Sequence, residues 1–242
     1  MNKAIASLLL LSLTALLSMT TPNRPASQSV VVLELFTSQG CSSCPPADQV
    51  LRELSQQGSY AGKNVYGLSF HVDYWNRLGW QDPFSTKEFT DRQRAYDRRL
   101  KTQTYTPQLV INGRQEAIGG QKGRILQLIQ QQSPTTSVEI TGKTAYSSDQ
   151  VTVAYALSEA GPYQVNAALV QQEAETDVRT GENGGRTLRN VNVVRQFKSV
   201  TPAGTSGSLS LSLPSGLARN QTALFLYVQR TDNLQIVGAL QL

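Results

Sequence analysis

The chain contains two cysteines, Cys41 and Cys44, which stand three positions apart in the segment Cys-Ser-Ser-Cys. An apolar, β-branched run at residues 30–36 precedes them and predicts a buried strand. Pro45 and Pro46 follow them and predict the first turn of a helix, where proline needs no partner for an N–H group. The unpaired N–H groups and the dipole of a helix N-terminus stabilise a thiolate. We therefore expect Cys41 to attack disulfides and Cys44 to resolve the mixed disulfide.

Other roles for the cysteine pair remain open. A structural crosslink that closes so short a loop stabilises a fold by only about 2 kcal/mol. A four-cysteine zinc site is excluded, because the chain has no second pair. A Cu(I)-binding metallochaperone that uses both thiolates and His71 is the main rival, since thiolate and imidazole ligands suit Cu(I). A binding module without catalysis is a third role, whereas thiol exchange itself needs no metal and no cofactor.

Glu34 is the one charged residue of the apolar run, seven positions before Cys41. A carboxyl group buried under the active-site helix would hold its proton more tightly, because desolvation disfavours the charged form. Such a group could take the proton of Cys44 when that thiol becomes a nucleophile. The alternative is that Glu34 lies at a strand edge or only satisfies backbone donors.

His71 is the only histidine, and it lies in a predicted strand at residues 64–72 that leads into an aromatic segment. Trp75 and its neighbours could line a substrate surface near the cysteines, with His71 beside them, because exposed aromatic side chains often anchor partners. The alternative is a hydrogen-bonded structural histidine and aromatic rings that pack beneath a loop.

Helix and strand signals alternate around these residues and predict an α/β domain over residues 28–133. After Cys44 an apolar stripe at helical spacing continues until Gly58, which marks the end of the first helix. The further predicted elements are a strand at 64–72, a helix capped by Ser85 or Thr86 that continues to Leu100, a strand at 108–111 with a turn at Asn112-Gly113, a strand near 116–118 and a helix at 123–132.

The pattern changes near Ser133 and Pro134. Short alternating apolar runs with turn signals between them then continue to the C-terminus and predict a small all-β, sandwich-like domain over residues 134–242. A glycine- and arginine-rich stretch at residues 176–190 interrupts these runs. It predicts either a long hairpin connection or a loop that contacts a partner or an anion and approaches the redox site.

Residues 1–27 have the pattern of a secretory signal peptide, in which Lys3 precedes an apolar run and a polar flank. We expect an exported protein, periplasmic or extracellular, from which this segment is cleaved; an uncleaved anchor is the alternative. The formal net charge of +5, from 22 basic and 17 acidic residues, predicts only a weak, transient attraction to anionic membrane surfaces. Without a motif that reads nucleic acid, we expect no nucleic-acid partner.

The segment at residues 34–48, Glu-Leu-Phe-Thr-Ser-Gln-Gly-Cys-Ser-Ser-Cys-Pro-Pro-Ala-Asp, closely resembles a family of exported thioredoxin-like proteins of uncharacterised function known as DUF1223. Further matches extend the resemblance to the C-terminal half: Phe-His-Val-Asp-Tyr-Trp at 70–75, Leu-Gly-Trp at 78–80, Arg-Gln-Arg-Ala-Tyr at 92–96, Tyr-Thr-Pro-Gln at 105–108 and Gly-Glu-Asn-Gly-Gly-Arg-Thr-Leu at 181–188. Asn190 departs from the family pattern, because many members have histidine there.

The resemblance implies a thioredoxin-like fold for the first domain. It also implies that the Thr106-Pro107 bond is cis and faces the cysteine pair, so that the backbone of Thr106 contacts a substrate chain and Pro107 shapes access to it. A carboxylate in the first strand is likewise a feature of thioredoxin-like proteins, and the resemblance assigns it to Glu34. We therefore predict an exported thiol–disulfide oxidoreductase that acts on a protein or on a small thiol or disulfide, with no redox direction or oligomeric state specified.

Overall fold

The predicted apolar run before the cysteines forms an interior strand of the main sheet. The computed structural model describes residues 29–133 and 137–242, so the predicted signal segment lies outside the described residues. The strands are β1 Val30–Thr37, β2 Ser59–Tyr60, β3 Lys63–His71, β4 Gln108–Ile111, β5 Gln115–Ile118, β6 Ile140–Tyr146, β7 Gln150–Leu157, β8 Tyr163–Val178, β9 Arg186–Val200, β10 Ser206–Ser212, β11 Thr222–Arg230 and β12 Ile236–Gln241. The α-helices are α1 Pro45–Gln57, α2 Lys87–Leu100 and α3 Lys122–Gln131.

A mixed sheet connects the two halves of the chain. Its strand order is β12-β11-β8-β9-β3-β1-β4-β5, and β2 pairs with β3 at the side. β1 and β3 run parallel with Thr37 opposite His71, whereas β1 and β4 run antiparallel. β9 joins β3 in parallel through the pair Ser69 and Val193. The fold is therefore a mixed α/β sheet with few helices.

The two faces of β1 carry different layers. Val31, Leu33 and Leu35 pack against the buried sides of α1 and α3, whereas Val32 and Phe36 pack on the other face with residues of α2 and β11. Because successive side chains of a strand point to opposite faces, residue 34 must share the face of residues 32 and 36. This alternation decides which polar residues of β1 can approach the cysteines.

The helices follow the sequence prediction closely. α1 begins at Pro45, and Gly58 ends it in the left-handed conformation at φ 68°. Thr86 caps α2, with its side-chain oxygen accepting a hydrogen bond from the N–H of Phe89 at 3.3 Å. Within residues 29–133 and 137–242, no helix is both long and apolar enough to cross a membrane.

The strands of the second half belong to two different sheets. A second sheet, in the order β10-β7-β6, packs across an apolar cluster on β8, β11 and β12, as in a sandwich. The long strands β8 and β9, however, also extend the sheet of the first half. The domain boundary at residues 133–134 stays a prediction, because the mixed sheet contains strands from both sides of it.

Candidate active site

A disulfide joins Cys41 and Cys44 at the N-terminus of α1. Cys44 is the N-cap residue of that helix, and its carbonyl oxygen accepts hydrogen bonds from the N–H groups of Ala47 at 2.8 Å and Asp48 at 3.0 Å. Both cysteines have 0% exposed surface. The pair thus lies at the positive end of a helix dipole, as the sequence predicts, but it is sealed from solvent.

The cis Thr106–Pro107 bond lies against the first cysteine. The hydroxyl of Thr106 donates a hydrogen bond to Cys41 Sγ at 3.4 Å, and it accepts one from Trp75 Nε1 at 2.7 Å. The carbonyl oxygen of Pro107 accepts a hydrogen bond from the N–H of Gly119 at 2.9 Å, which holds this loop at the edge of the sheet. The structure confirms the cis bond and brings Cys41, Thr106 and Trp75 together.

His71 is completely buried and hydrogen-bonded, which favours the alternative of a structural histidine over a place on a substrate surface. Its Nδ1 lies 2.7 Å from Asp82 Oδ2, which also accepts a hydrogen bond from the N–H of Gln39 at 2.8 Å. Burial opposes the charge on each partner, but their attraction outweighs it, so the pKa of His71 is raised and that of Asp82 is lowered. Both shifts favour the charged forms, a protonated His71 beside the Asp82 carboxylate.

The environment of His71 gives no support to the copper alternative. Its Nδ1 is engaged by Asp82, and its Nε2 is buried without a hydrogen-bond partner. Across the described parts of the chain, no three His, Cys, Asp or Glu side chains are grouped so that they could hold a metal ion.

Glu34 lies on the opposite face of the sheet from α1, which contradicts its expected placement beneath the active-site helix. Its carboxylate pairs with Arg92 at 2.8 Å, and it accepts hydrogen bonds from the hydroxyls of Tyr96 and of Tyr227, the latter at 2.7 Å. The guanidinium of Arg92 lies 4.7 Å from the ring centre of Phe197 and contacts three further aromatic rings. The strand alternation causes this placement, because an even-numbered residue of β1 faces α2.

Asp48 is an acidic group that the sequence reasoning missed as a site residue. It is only 6% exposed, and Thr37 Oγ1 donates a hydrogen bond to its Oδ1 at 3.0 Å. Burial raises the pKa of Asp48 to about 7, against the opposing attraction of His71 and the hydrogen bond from Thr37. An acidic residue in the first turn of a helix is ordinarily explained by the helix dipole, so the sequence alone gives it no special meaning.

The turn between β8 and β9, which we call the cover segment (residues 179–185), lies over the cysteine loop. Asn183 is fully buried there, and its Nδ2 donates hydrogen bonds to the carbonyl oxygens of Gln39 and Cys41, both at 2.9 Å. Glu182 Oε2 accepts a hydrogen bond from the N–H of Ser42 at 3.0 Å. Residues 176–190 therefore form the predicted hairpin connection and also approach the redox site, whereas their contact with a partner or an anion stays a prediction.

Further contacts anchor the cover segment and the strands that flank it. Thr180 donates a hydrogen bond to the carbonyl oxygen of Gly79. Gln39 Nε2 donates to Thr176 Oγ1 at 3.0 Å and to Asn190 Oδ1 at 3.2 Å. Asn190, the departure from the family pattern, thus helps to hold the cysteine loop against β9.

Comparisons with known proteins place this site in a family without an assigned activity. The model of a family described as "Protein of unknown function (DUF1223)" matches residues 32–229. A crystal structure of protein AGR_C_4864 from Agrobacterium tumefaciens is similar with a TM-score of 0.68 and 32% identity, over 90% of this chain and 96% of that one. HBP35 of Porphyromonas gingivalis shares the fold with a TM-score of 0.63 and 16% identity, over 89% of this chain and 75% of that one. No curated protein matches the chain.

Proposed function

Because the chain belongs to DUF1223, a family of unknown function, we propose its activity from the site: a thiol–disulfide oxidoreductase in which Cys41 and Cys44 are the redox pair. One observation carries the proposal. A cysteine pair at the N-terminus of a helix faces a cis-proline loop, with Thr106 Oγ1 at 3.4 Å from Cys41 Sγ. A crosslink that served only to hold the fold would not need this polar partner beside one sulfur.

The reaction exchanges two electrons between the cysteine pair and a substrate disulfide. The Cys41 thiolate attacks one substrate sulfur, the substrate S–S bond breaks, and one half leaves as a thiol after taking up a proton. Cys44 then attacks Cys41 Sγ, which releases the second substrate thiol and forms the Cys41–Cys44 disulfide. Starting from the disulfide, the same steps in reverse oxidise a substrate dithiol. No cofactor is needed, because the cysteine pair holds the electrons.

The substrate is a protein or a small disulfide, and Thr106 and Pro107 form the surface that its chain contacts beside Cys41. Trp75 supports this surface through its hydrogen bond to Thr106. The order β1-α1-β2-β3-α2-β4-β5-α3 supports a thioredoxin-like arrangement of residues 28–133, followed by a sandwich-like arrangement of residues 134–242. Export, removal of residues 1–27 and transient proximity to membrane surfaces belong to the same proposal, which includes no nucleic acid.

The decisive measurement is a redox titration of residues 28–242 against glutathione buffers. Trp75 and Trp80 are the two tryptophans of the chain. Trp75 donates a hydrogen bond to Thr106, which contacts Cys41, and Trp80 donates one to Gln39 in the cysteine loop. Their fluorescence therefore reports the state of the disulfide, and the Cys41→Ser, Cys44→Ser double variant is the control. We expect a reversible two-electron transition in the native chain and none in the control.

A trapping experiment tests the substrate. The Cys44→Ser variant keeps the attacking thiol and loses the resolving one, so it should accumulate mixed disulfides that Cys41→Ser does not form. If the chain neither titrates reversibly nor traps a mixed disulfide, the proposal is wrong. Stoichiometric Cu(I) binding that His71→Ala abolishes would instead support the metallochaperone alternative.

A further inference from the structure

We propose that Asp48, and not Glu34, accepts the proton of Cys44 when this thiol resolves the mixed disulfide. This inference rests on the proposed function and assigns a proton acceptor within it. It is carried by the position of Asp48, which lies one helical turn after Cys44, is held by Thr37 and lines a surface cavity.

Asp48 lies one helical turn after the resolving cysteine. Its N–H donates a hydrogen bond to the carbonyl oxygen of Cys44 at 3.0 Å, so the two side chains belong to the same end of α1. Thr37, which holds the carboxyl group through its hydroxyl, pairs with His71 across β1 and β3. Paired residues of neighbouring strands lie side by side, so His71 and Asp48 approach Thr37 on the same face of the sheet.

The charges around Asp48 adjust how easily it gains and loses a proton. Burial favours the neutral acid, whereas the neighbouring His71 favours the carboxylate, and Asp82 weakly favours the acid. Asn190 adds a favourable interaction with the carboxylate, while Arg195 of β9 opposes the charge on His71. The resulting pKa of about 7 allows a base to exchange protons near neutral pH.

Asp48 also has a route by which its proton can reach solvent without passing the disulfide. It lines a surface cavity of about 190 Å³ between the first two turns of α1 and the start of β9, together with Pro45, Gln49, Arg52 and residues 186–189. Protons taken from Cys44 can therefore leave toward solvent at the side of α1. Glu34 has no such position, because its carboxylate is enclosed by Arg92 and two tyrosines across the sheet.

The step balances without an added reagent. The Cys44 S–H proton moves to the Asp48 carboxylate, and the Cys44 thiolate attacks Cys41 Sγ. The new Cys41–Cys44 bond forms as the bond from Cys41 to the substrate sulfur breaks, and the substrate leaves with the electron pair and takes a proton from solvent. Asp48 then releases its proton into the cavity.

The test follows attack and resolution separately in the reduced chain, with one equivalent of 5,5′-dithiobis(2-nitrobenzoate). The first coloured thiolate is released when Cys41 attacks, and the second when Cys44 resolves. The Asp48→Asn variant keeps an oxygen for the Thr37 hydroxyl but cannot accept the proton. Its second phase should slow by about 100-fold at pH 7.5, the lower range for general base catalysis, while the first phase is unchanged.

The pH dependence separates this role from a structural one. Resolution in the native chain should show an inflection near pH 7, because below it Asp48 is already protonated. The inflection should vanish in Asp48→Asn and return, shifted, in Asp48→Glu. Glu53→Gln, an exposed change on the same helix, is the control and should behave like the native chain.

A second phase in Asp48→Asn that equals the native one in rate and pH profile would overturn the inference, even if the first phase supports the redox function. Absence of the first phase in the native chain would instead overturn the proposed function. If the Asp48→Asn variant does not fold, Asp48→Glu becomes the test. An unshifted inflection in its rate of resolution against pH would also overturn the inference.

Discussion

The cover segment predicts how fast the disulfide can be reduced. Because both cysteines are at 0% exposure and residues 179–185 are hydrogen-bonded to the cysteine loop, we expect a reductant to reach Cys41 when this segment leaves the loop. Asn183→Ala removes the two hydrogen bonds to the carbonyl oxygens of Gln39 and Cys41. At about 1 kcal/mol each, their loss favours the open state by about 2 kcal/mol, which is about 30-fold in the opening equilibrium.

The assay is the rate of reduction by dithiothreitol at fixed pH, followed by tryptophan fluorescence. If opening and closing are fast, the rate scales with the open population, so Asn183→Ala should react about 30-fold faster. Thr187→Ala is the matched control, because it removes a hydrogen bond to Asp177 in the same hairpin without touching the cysteine loop. Equal rates for Asn183→Ala and the native chain, at unchanged melting temperature, would refute the reasoning.

Three further predictions concern single contacts of the site. The pKa of Glu182 is lowered by its hydrogen bonds with Ser42, so the stabilisation that these bonds give is complete above pH 4.5 and is lost as the pH falls below it. Reduction of the disulfide by a phosphine should therefore accelerate at this low pH in the native chain relative to Glu182→Gln. Glu34→Gln should leave resolution kinetics unchanged but cost about 3–5 kcal/mol in chemical denaturation, because Arg92 stays buried without its partner. Thr106→Val should slow alkylation of reduced Cys41 severalfold at pH 6, because the hydroxyl no longer favours its thiolate.

The sequence predicted most of the local structure because local signals determine it. Pro45 and Gly58 mark the two ends of α1, and Thr86 caps α2, as their backbone preferences require. The joining of β9 to β3 was not predictable in the same way. That pair brings Ser69 next to Val193, and no local pattern records which distant strands become neighbours.

The site was predicted where residue type decided the chemistry and missed where geometry did. Cys41 and Thr106 come together as the family resemblance implies. Glu34 and His71 stand out in the sequence because each is isolated, but the face of each strand and its packing decide their partners. Asp48 was overlooked, because its importance comes from burial beside His71, which only the assembled sheet provides.

The cover segment also sets an order for the maturation of the chain. Asn183 lies 142 residues after Cys41, and chains fold broadly from the N-terminal side during synthesis. The cysteine loop must therefore exist for a time without the cover segment, and oxidants or reductants of thiols can then reach it. A chain that ends before residue 179 would keep this early, unprotected reactivity permanently, because it lacks the segment that covers the disulfide.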